Sequence, residues 1–272
     1  AVTVLPVDAE GFVDEAALRG ALSDSTVLVS IMHGNNEIGT IGRVAQLAAI
    51  AHERGALFHT DAIQTAGHLP IDVAALGVDA LTLSAHKFEG PKGVGALFLK
   101  RGARIRARIV GGSQEFGKRA GTENIAGIAG LAAALDCAMR ELAQTQAATR
   151  ALRDALIDGV AGNVPGTTLN GSRDDRLPNN ASLRFDGCDA SALMAALDVR
   201  GVEVSTGSAC TSGSLEPSHV LTAIGLTPQA ARGTVRFSLG RMTTREEIEY
   251  VISILPAIVQ NMRRLIGATA AG

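Results

Sequence analysis

The sequence contains no tryptophan, one tyrosine and three cysteines, which are Cys137, Cys188 and Cys210. Without CxxC spacing, these cysteines argue against a disulfide framework and against a structural zinc site. The formal net charge of −2 gives no basic excess that would attract nucleic acid or an anionic membrane surface. No apolar run approaches the roughly 20 residues of a membrane span, and the N-terminal residues lack a signal-peptide pattern. We therefore expect a cytoplasmic α/β protein.

The first half of the chain alternates between strand and helix patterns. An apolar opening segment, VTVLPV, has a strand pattern, and a helical segment follows at 14–22. Further strands are predicted at 26–33, 56–62, 79–85 and 95–100, and helices at 43–54 and near IDVAALG. Strands that are apolar almost throughout and alternate with helices are typical of a mostly parallel sheet covered on both faces. Ligands of such sheets bind at the carboxyl ends of the strands, where HGNNEIG, HTDAIQ and SAHK all fall.

The second half of the chain predicts a long helix and a smaller α/β unit. From Asn124 to about Val160, apolar residues recur at steps of three and four, which predicts one apolar helix face. A loop-rich segment follows, and then strands at 180–185, 202–206 and 234–239 with helices at 189–201 and 216–224. The final helix is predicted to begin at Thr243, with Glu246 completing a capping box. We expect a large domain over 1–130 and a linking helix with a small C-terminal domain over 131–272.

Lys87 and Asp61 stand at the ends of two predicted neighbouring strands. Taken alone, Lys87 could extend its amine to water, and Asp61 could cap a helix. Together they are the two groups that pyridoxal 5'-phosphate needs: a lysine that bonds to its aldehyde and an acid that pairs with its ring nitrogen. Desolvation at the sheet edge would favour the neutral, nucleophilic amine. The pair predicts a pyridoxal-phosphate site.

Other polar residues near these strand ends extend the predicted site. Ser84 and His86 flank the lysine and could donate hydrogen bonds to a phosphate, although His86 could also be a core histidine. Asn36 and Gln64 could bind the ring hydroxyl or a substrate, although each alone would be an ordinary turn residue. Thr122 precedes the long helix within a glycine-containing segment, a pattern that suits phosphate.

A cysteine and an arginine in the second half complete the set of candidates. Cys210 lies in VSTGSACTSGS, a polar stretch that predicts an exposed loop and a nucleophilic thiol. We expect Cys137 and Cys188 to be structural and buried. Arg236, in TVRFSLGR, could bind a substrate carboxylate through two parallel hydrogen bonds, or could pair with a structural acid.

The motifs HGNNEIG, DAIQTAGHLPIDV, SAHKFEGPKGVGAL, RAGTEN, STGSACTSGSLEPS and VRFSLGR resemble, in this order, those of the cysteine desulfurases of the NifS/IscS type. The resemblance extends from about Val2 to Leu265, and the segment around Cys210 is similar to the long catalytic loop of the first group of these enzymes. It implies a fold-type-I pyridoxal-phosphate enzyme that forms a homodimer. The implied reaction converts L-cysteine to L-alanine and supplies sulfur to an iron–sulfur scaffold protein or another acceptor.

The resemblance also implies a role for each candidate residue. Lys87 would hold the cofactor and move protons on the substrate, Asp61 would pair with the ring nitrogen, and Gln64 with the ring hydroxyl. Ser84 and His86 would bind the cofactor phosphate, and Thr122 would reach the phosphate of the other subunit. Asn36 and Arg236 would hold the substrate carboxylate, and Cys210 would accept the sulfur as a persulfide.

The resemblance further implies an N-terminal portion with a phosphate-binding loop and a histidine that stacks on the ring, neither of which is in this sequence. We expect the chain to be a fragment of a longer enzyme. The alternatives are that another chain supplies the missing part, or that the chain is a truncated, non-catalytic relative acting as an interaction protein. A selenocysteine lyase or another lyase or transaminase of the same fold is the remaining alternative.

Overall fold

The computed structural model describes the backbone of residues 1–206 and 218–270, and the side chains of those residues up to Leu265. The described helices are α1 (Glu15–Ala21), α2 (Val44–Glu53), α3 (Val73–Leu76), α4 (Ile125–Asn163), α5 (Ala190–Asp198), α6 (His219–Ala223), α7 (Pro228–Ala231) and α8 (Arg245–Ala270). The described strands are β1 (Leu28–Ser30), β2 (Leu57–Asp61), β3 (Ala80–Ser84), β4 (Gly95–Leu99), β5 (Thr167–Leu169), β6 (Asn180–Phe185), β7 (Ser205–Thr206) and β8 (Thr234–Ser238).

The chain forms two compact units. One, the parallel-sheet unit, comprises 18–33 and 43–142, and the other, the antiparallel-sheet unit, comprises 1–17, 34–42 and 143–272. The segment 34–42, which carries Asn36, thus belongs with the C-terminal half of the chain. The division into domains at residue 130 remains a prediction.

The parallel-sheet unit is built on a four-stranded sheet in the order β1-β2-β3-β4. β1, β2 and β3 run parallel, whereas β4 pairs antiparallel with β3. The buried side chains of Val29, Phe58 and Leu81 lie on one face, because alternate residues of a strand point to opposite faces. The mostly parallel α/β fold predicted from the sequence is confirmed.

The antiparallel-sheet unit has a second four-stranded sheet in the order β5-β6-β8-β7. All its neighbouring strands are antiparallel. Its core joins this sheet to parts of three helices, and includes Leu156 of α4, Leu193 of α5 and Leu255 of α8. Opposite Arg236 in this sheet lies Ser205, so the polar segment that contains Cys210 begins next to Arg236 on the neighbouring strand.

α4 begins where the sequence places it and runs slightly further. The Oδ1 atom of Asn124 accepts a hydrogen bond from the N–H of Gly127 at 3.0 Å, which is the bond of an N-cap. The predicted apolar face is only partly covered: Leu142 is buried, but Ile125, Ile128 and Met139 are exposed.

Several local predictions were wrong. The opening VTVLPV forms no strand beyond a single bridge between Val7 and Val13, and Val2 and Val4 are exposed. Among the described residues no strand pairs with it, and an apolar pattern without a pairing partner does not make a strand. The predicted strand at 202–206 is reduced to β7, β5 forms in the segment that we expected to be a loop, and α7 forms where no element was predicted.

The final helix is capped one residue later than predicted. The N–H of Thr244 donates to Glu247 at 2.8 Å, and the N–H of Glu247 donates to the Thr244 hydroxyl at 3.2 Å. These are the two bonds of a capping box. The hydroxyl of Thr243 instead accepts a bond from the N–H of Gly240 at 2.9 Å. Within the described part of the chain, none of the helices combines the length and apolar character of a membrane span.

Candidate active site

Asp61 is the last residue of β2, and its position follows from the strand and the turn that succeeds it. Its Oδ1 atom accepts a hydrogen bond from the N–H of Ile63 at 2.8 Å, and its carbonyl accepts one from the N–H of His33 at 2.8 Å. The carboxylate thus closes a local turn and does not cap a helix, because the next described helix begins only at Val73. It is half-buried, and therefore still accessible to a ligand.

Thr82 of β3 lies opposite Asp61 in the parallel register. Because side chains alternate along a strand, Ser84 follows on the same face of the sheet. The ends of β2 and β3 thereby bring a carboxylate and two hydroxyls to one edge of the sheet. This agrees with the predicted grouping of polar residues at the carboxyl ends of parallel strands.

His59 lies on the same face as Asp61 and did not emerge from the sequence. Its ring contacts the hydroxyl of Ser30 at 2.8 Å and that of Thr82 at 3.3 Å. Burial lowers the pKa of His59, and the negative charge of Asp61 partly opposes this shift. The signal available in the sequence was the two-residue spacing from His59 to Asp61 within a strand.

Lys87 projects from a short 3-10 turn, Ala85–Phe88, that directly follows β3. Ala85 and Phe88 are buried in a small apolar cluster, whereas His86 and Lys87 are exposed. The two buried residues fix the turn and leave the amine directed away from the cluster. Lys87 is exposed, so the described residues do not desolvate its side chain as the sequence led us to expect.

Ser84 and His86 form a pair next to this lysine. The Ser84 hydroxyl lies 2.8 Å from Nδ1 of His86. The exposure of His86 contradicts the alternative that it is a core histidine. A hydroxyl and an imidazole held together at an exposed sheet edge are suitable donors for a phosphate oxygen.

Gln64 and Thr122 complete the predicted residues of the parallel-sheet unit. Gln64 is half-buried in the turn after β2, near Asp61 in the chain. Thr122 is exposed in the loop before α4, and its carbonyl accepts a long bond of 3.4 Å from Arg119. Among the described residues, no hydrogen bond joins Thr122 to the strand-end group.

Asn36 and Arg236 lie together in the antiparallel-sheet unit. Nη1 of Arg236 donates to the backbone carbonyl of Asn36 at 2.9 Å, so the contact does not use the Asn36 amide. Nε of Arg236 is buried and has no hydrogen-bond acceptor among the described residues. A buried guanidinium N–H without an acceptor could donate a hydrogen bond to the carboxylate of a ligand.

Glu37 is a buried acid beside this arginine that the sequence reasoning missed. It accepts a hydrogen bond from the hydroxyl of Ser218 at 2.5 Å. Burial raises the pKa of Glu37, while the bond from Ser218 and the positive charges of His219 and Arg236 oppose the shift. Its place in the polar motif HGNNEIG was the only sequence signal.

The predictions for the three cysteines differ in outcome. Cys210 lies outside the described residues, so its nucleophilic role remains a prediction. Cys188 is buried as expected, and burial raises the pKa of its thiol. Cys137 is exposed on α4, contrary to expectation.

The donor set of the parallel-sheet unit fits pyridoxal phosphate. An exposed amine, a carboxylate on the adjacent parallel strand and a serine–histidine pair supply the covalent, ring-nitrogen and phosphate contacts that the cofactor needs. Asp61, Ser84 and Lys87 all lie at the carboxyl ends of β2 and β3.

The comparisons with known proteins agree with this chemistry. The family model for aminotransferase class V matches residues 1–251. The chain is 50% identical over 264 residues to a protein named cysteine desulfurase IscS from Dictyoglomus turgidum, covering 97% of this chain and 67% of that protein. It is 47% identical to a protein of the same name from Methanosarcina thermophila, covering 97% and 65% respectively.

Solved structures give the same result. A NifS-like protein superposes with a TM-score of 0.87 at 37% identity, covering 95% of this chain and 68% of that one. A NifS-like protein from Rickettsia africae gives 0.86 at 31% identity, covering 94% and 69%. The chain thus spans about two-thirds of the length of these relatives. It belongs to the aminotransferase class-V family, among the cysteine desulfurases of the NifS/IscS type.

Proposed function

We propose that this chain is a pyridoxal-phosphate-dependent cysteine desulfurase that converts L-cysteine to L-alanine and carries the sulfur as a persulfide on Cys210. The observation that supports it most is that the exposed Lys87 follows β3, whose parallel neighbour β2 ends in the half-buried Asp61. The bound cofactor would supply an electron sink for the carbanion formed at the substrate Cα.

The residues of the parallel-sheet unit would bind the cofactor and move protons. Nζ of Lys87 would hold the cofactor covalently and, once released, would carry a proton to or from the substrate carbon. The carboxylate of Asp61 would keep the proton on the ring nitrogen, and Gln64 would hydrogen-bond to the ring hydroxyl. Ser84 and His86 would donate to the phosphate.

The residues of the antiparallel-sheet unit would act on the substrate. Arg236 and Asn36 would bind the carboxylate of L-cysteine, for which Nε of Arg236 has a donor without an acceptor among the described residues. Sγ of Cys210, as a thiolate, would attack the substrate sulfur. The S–S bond forms as the C–S bond breaks, and the carbon keeps the electron pair and takes a proton to become alanine.

The remaining proposals concern the assembly and the setting of the protein. We propose a homodimer in which Thr122 contacts the phosphate of the other subunit. We also propose a cytoplasmic protein that passes sulfur to an iron–sulfur scaffold or another acceptor. We further propose that the chain divides into a large domain over 1–130, which carries Lys87, and a linking helix with a small domain over 131–272, which carries Arg236.

The substitution Cys210→Ser tests the sulfur-carrier step. Cofactor-loaded protein is given L-cysteine, and alanine, sulfide and protein-bound persulfide are measured. The variant should lose persulfide and sulfide formation and keep cofactor binding, while Cys137→Ser, which alters an exposed thiol on α4, should behave as the parent. Parental desulfuration by Cys210→Ser would refute the assignment and favour another lyase or transaminase of this fold.

A further inference from the structure

The backbone of Lys87 is held by a side chain from the neighbouring turn. Nε2 of His68 lies 3.0 Å from the carbonyl oxygen of Lys87. Because a carbonyl oxygen only accepts hydrogen bonds, the imidazole must carry its proton on Nε2. Burial lowers the pKa of His68, against the opposing effects of the Lys87 carbonyl and the charge of Glu89, which favours the neutral ring.

The Lys87 carbonyl lies where a helical turn leaves carbonyls without internal partners. Lys87 is near the end of the turn Ala85–Phe88, and the last carbonyls of a helix lack partners within the helix. The Ala85 carbonyl is satisfied differently, because it accepts from the N–H groups of Glu89 and Gly90. His68 thus supplies the Lys87 carbonyl with an N–H donor that does not come from the turn itself.

The turn that carries His68 packs directly against the turn that carries Lys87. Ala66, Ala85 and Phe88 form one buried cluster. A Cβ added at Gly67 would lie 2.5 Å from Cβ of Phe88, and Gly67 has a φ of +77°, so glycine is required there for two reasons. This close packing fixes the imidazole relative to the lysine backbone.

From this geometry we propose that His68 is a positioning residue for Lys87. It orients the Lys87 peptide, and with it the direction of the Cα–Cβ bond, so that the amine meets the cofactor aldehyde in a productive geometry. The assignment rests on the proposed role of Lys87, and the contact that carries it is made to the Lys87 backbone.

Three variants test the assignment. His68→Leu removes the donor, whereas His68→Gln keeps an N–H group at a similar distance along the side chain. His52→Leu is the matched control, because His52 is in the same unit and bonds through Nε2 to Asp79 at 2.7 Å, away from the Lys87 turn. Each purified variant is mixed with pyridoxal phosphate, reduced with borohydride at timed intervals and analysed for label at Lys87 by peptide mass spectrometry.

We expect labelling of Lys87 to slow about tenfold in His68→Leu, because a displaced nucleophile loses near-attack geometry. His68→Gln and His52→Leu should label at nearly the parental rate. Folded His68→Leu that labels at the parental rate overturns the assignment, as does His68→Gln that is as slow as His68→Leu.

Amide hydrogen exchange in 84–90 separates this inference from the proposed function. His68→Leu should exchange faster than the parent in this segment, and His52→Leu should not. If the parent takes no label at all, the proposed function fails for this chain, and the exchange result alone then decides whether His68 holds the turn. Unchanged exchange in His68→Leu would refute the positioning role.

Discussion

Removing the carboxylate of Asp79 should destabilise the parallel-sheet unit. Asp79 is buried just before β3, and its Oδ2 atom accepts bonds from the N–H of Phe58 at 2.8 Å and from His52 at 2.7 Å. Nζ of Lys100 lies 3.6 Å from the other oxygen. One side chain therefore joins α2, β2 and the end of β4.

The expected magnitude follows from the groups that lose their partner. In Asp79→Ala, the buried N–H of Phe58 has no acceptor, which costs about 1–3 kcal/mol, and the charge-assisted contact with the partly exposed His52 adds about 1 kcal/mol. We expect a loss of about 3 kcal/mol in the free energy of unfolding. Asp79→Asn, which keeps an acceptor for Phe58, should lose about half as much.

Urea denaturation followed by circular dichroism measures this loss. Asp24→Ala is the control. Asp24 is fully exposed, and an exposed ion pair such as its 3.8 Å contact with Arg54 contributes little to stability, so the urea midpoint of this variant should match that of the parent. Equal shifts in Asp79→Ala and Asp24→Ala would refute the reasoning.

The stabilisation by Asp79 should also depend on pH. Burial alone would raise the pKa of Asp79, but the bonds from Phe58 and His52 and the charges of His52 and Lys100 together lower it. A carboxyl whose pKa is lower in the folded state stabilises fully above its unfolded pKa of about 4, and this is lost as the pH falls through the folded value. The difference between parent and Asp79→Ala should therefore shrink in that acidic range.

Two further predictions concern the antiparallel-sheet unit. Gly39→Ala should lower the urea midpoint by more than Gly201→Ala, which changes a glycine of the same unit: both glycines have positive φ, but only at Gly39 would a Cβ lie 2.5 Å from Oδ1 of Asn180; equal shifts would contradict the steric argument. Glu37→Gln should gain stability relative to the parent as the pH rises above the ordinary carboxyl pKa, because the raised pKa of Glu37 means that ionisation costs stability there. Parallel pH profiles of the two urea midpoints would contradict it.

Periodicity predicted most of the elements because each element repeats a short local pattern. The strand predicted at 180–185 is the observed β6, and α2 lies within the predicted helix 43–54. The opening VTVLPV has the same local pattern but no pairing partner among the described residues, and β5 is too short to produce a pattern. Pairing is decided by other parts of the chain, which local sequence does not reveal.

The site residues that lie at strand ends could be predicted from the sequence. The contacts between residues far apart in the sequence could not. Asp61, Ser84 and Lys87 follow from the position of polar residues after apolar strands. The bond from Ser218 to Glu37, and the bond from His68 to the Lys87 carbonyl, join segments whose proximity only the folded chain shows. The exposure of Lys87 likewise depends on which residues cover the sheet.

The most direct test of the proposed function is the site of labelling by pyridoxal phosphate and borohydride in the parent chain. We predict a yellow protein with label on Lys87, and a colourless, unlabelled protein for Lys87→Ala. Lys92, Lys100 and Lys118 are internal comparisons, because they lie in the same unit and are not among the predicted site residues. A parent chain that stays colourless, or that takes label equally on these lysines, would contradict the claim that Lys87 and Asp61 form a cofactor site.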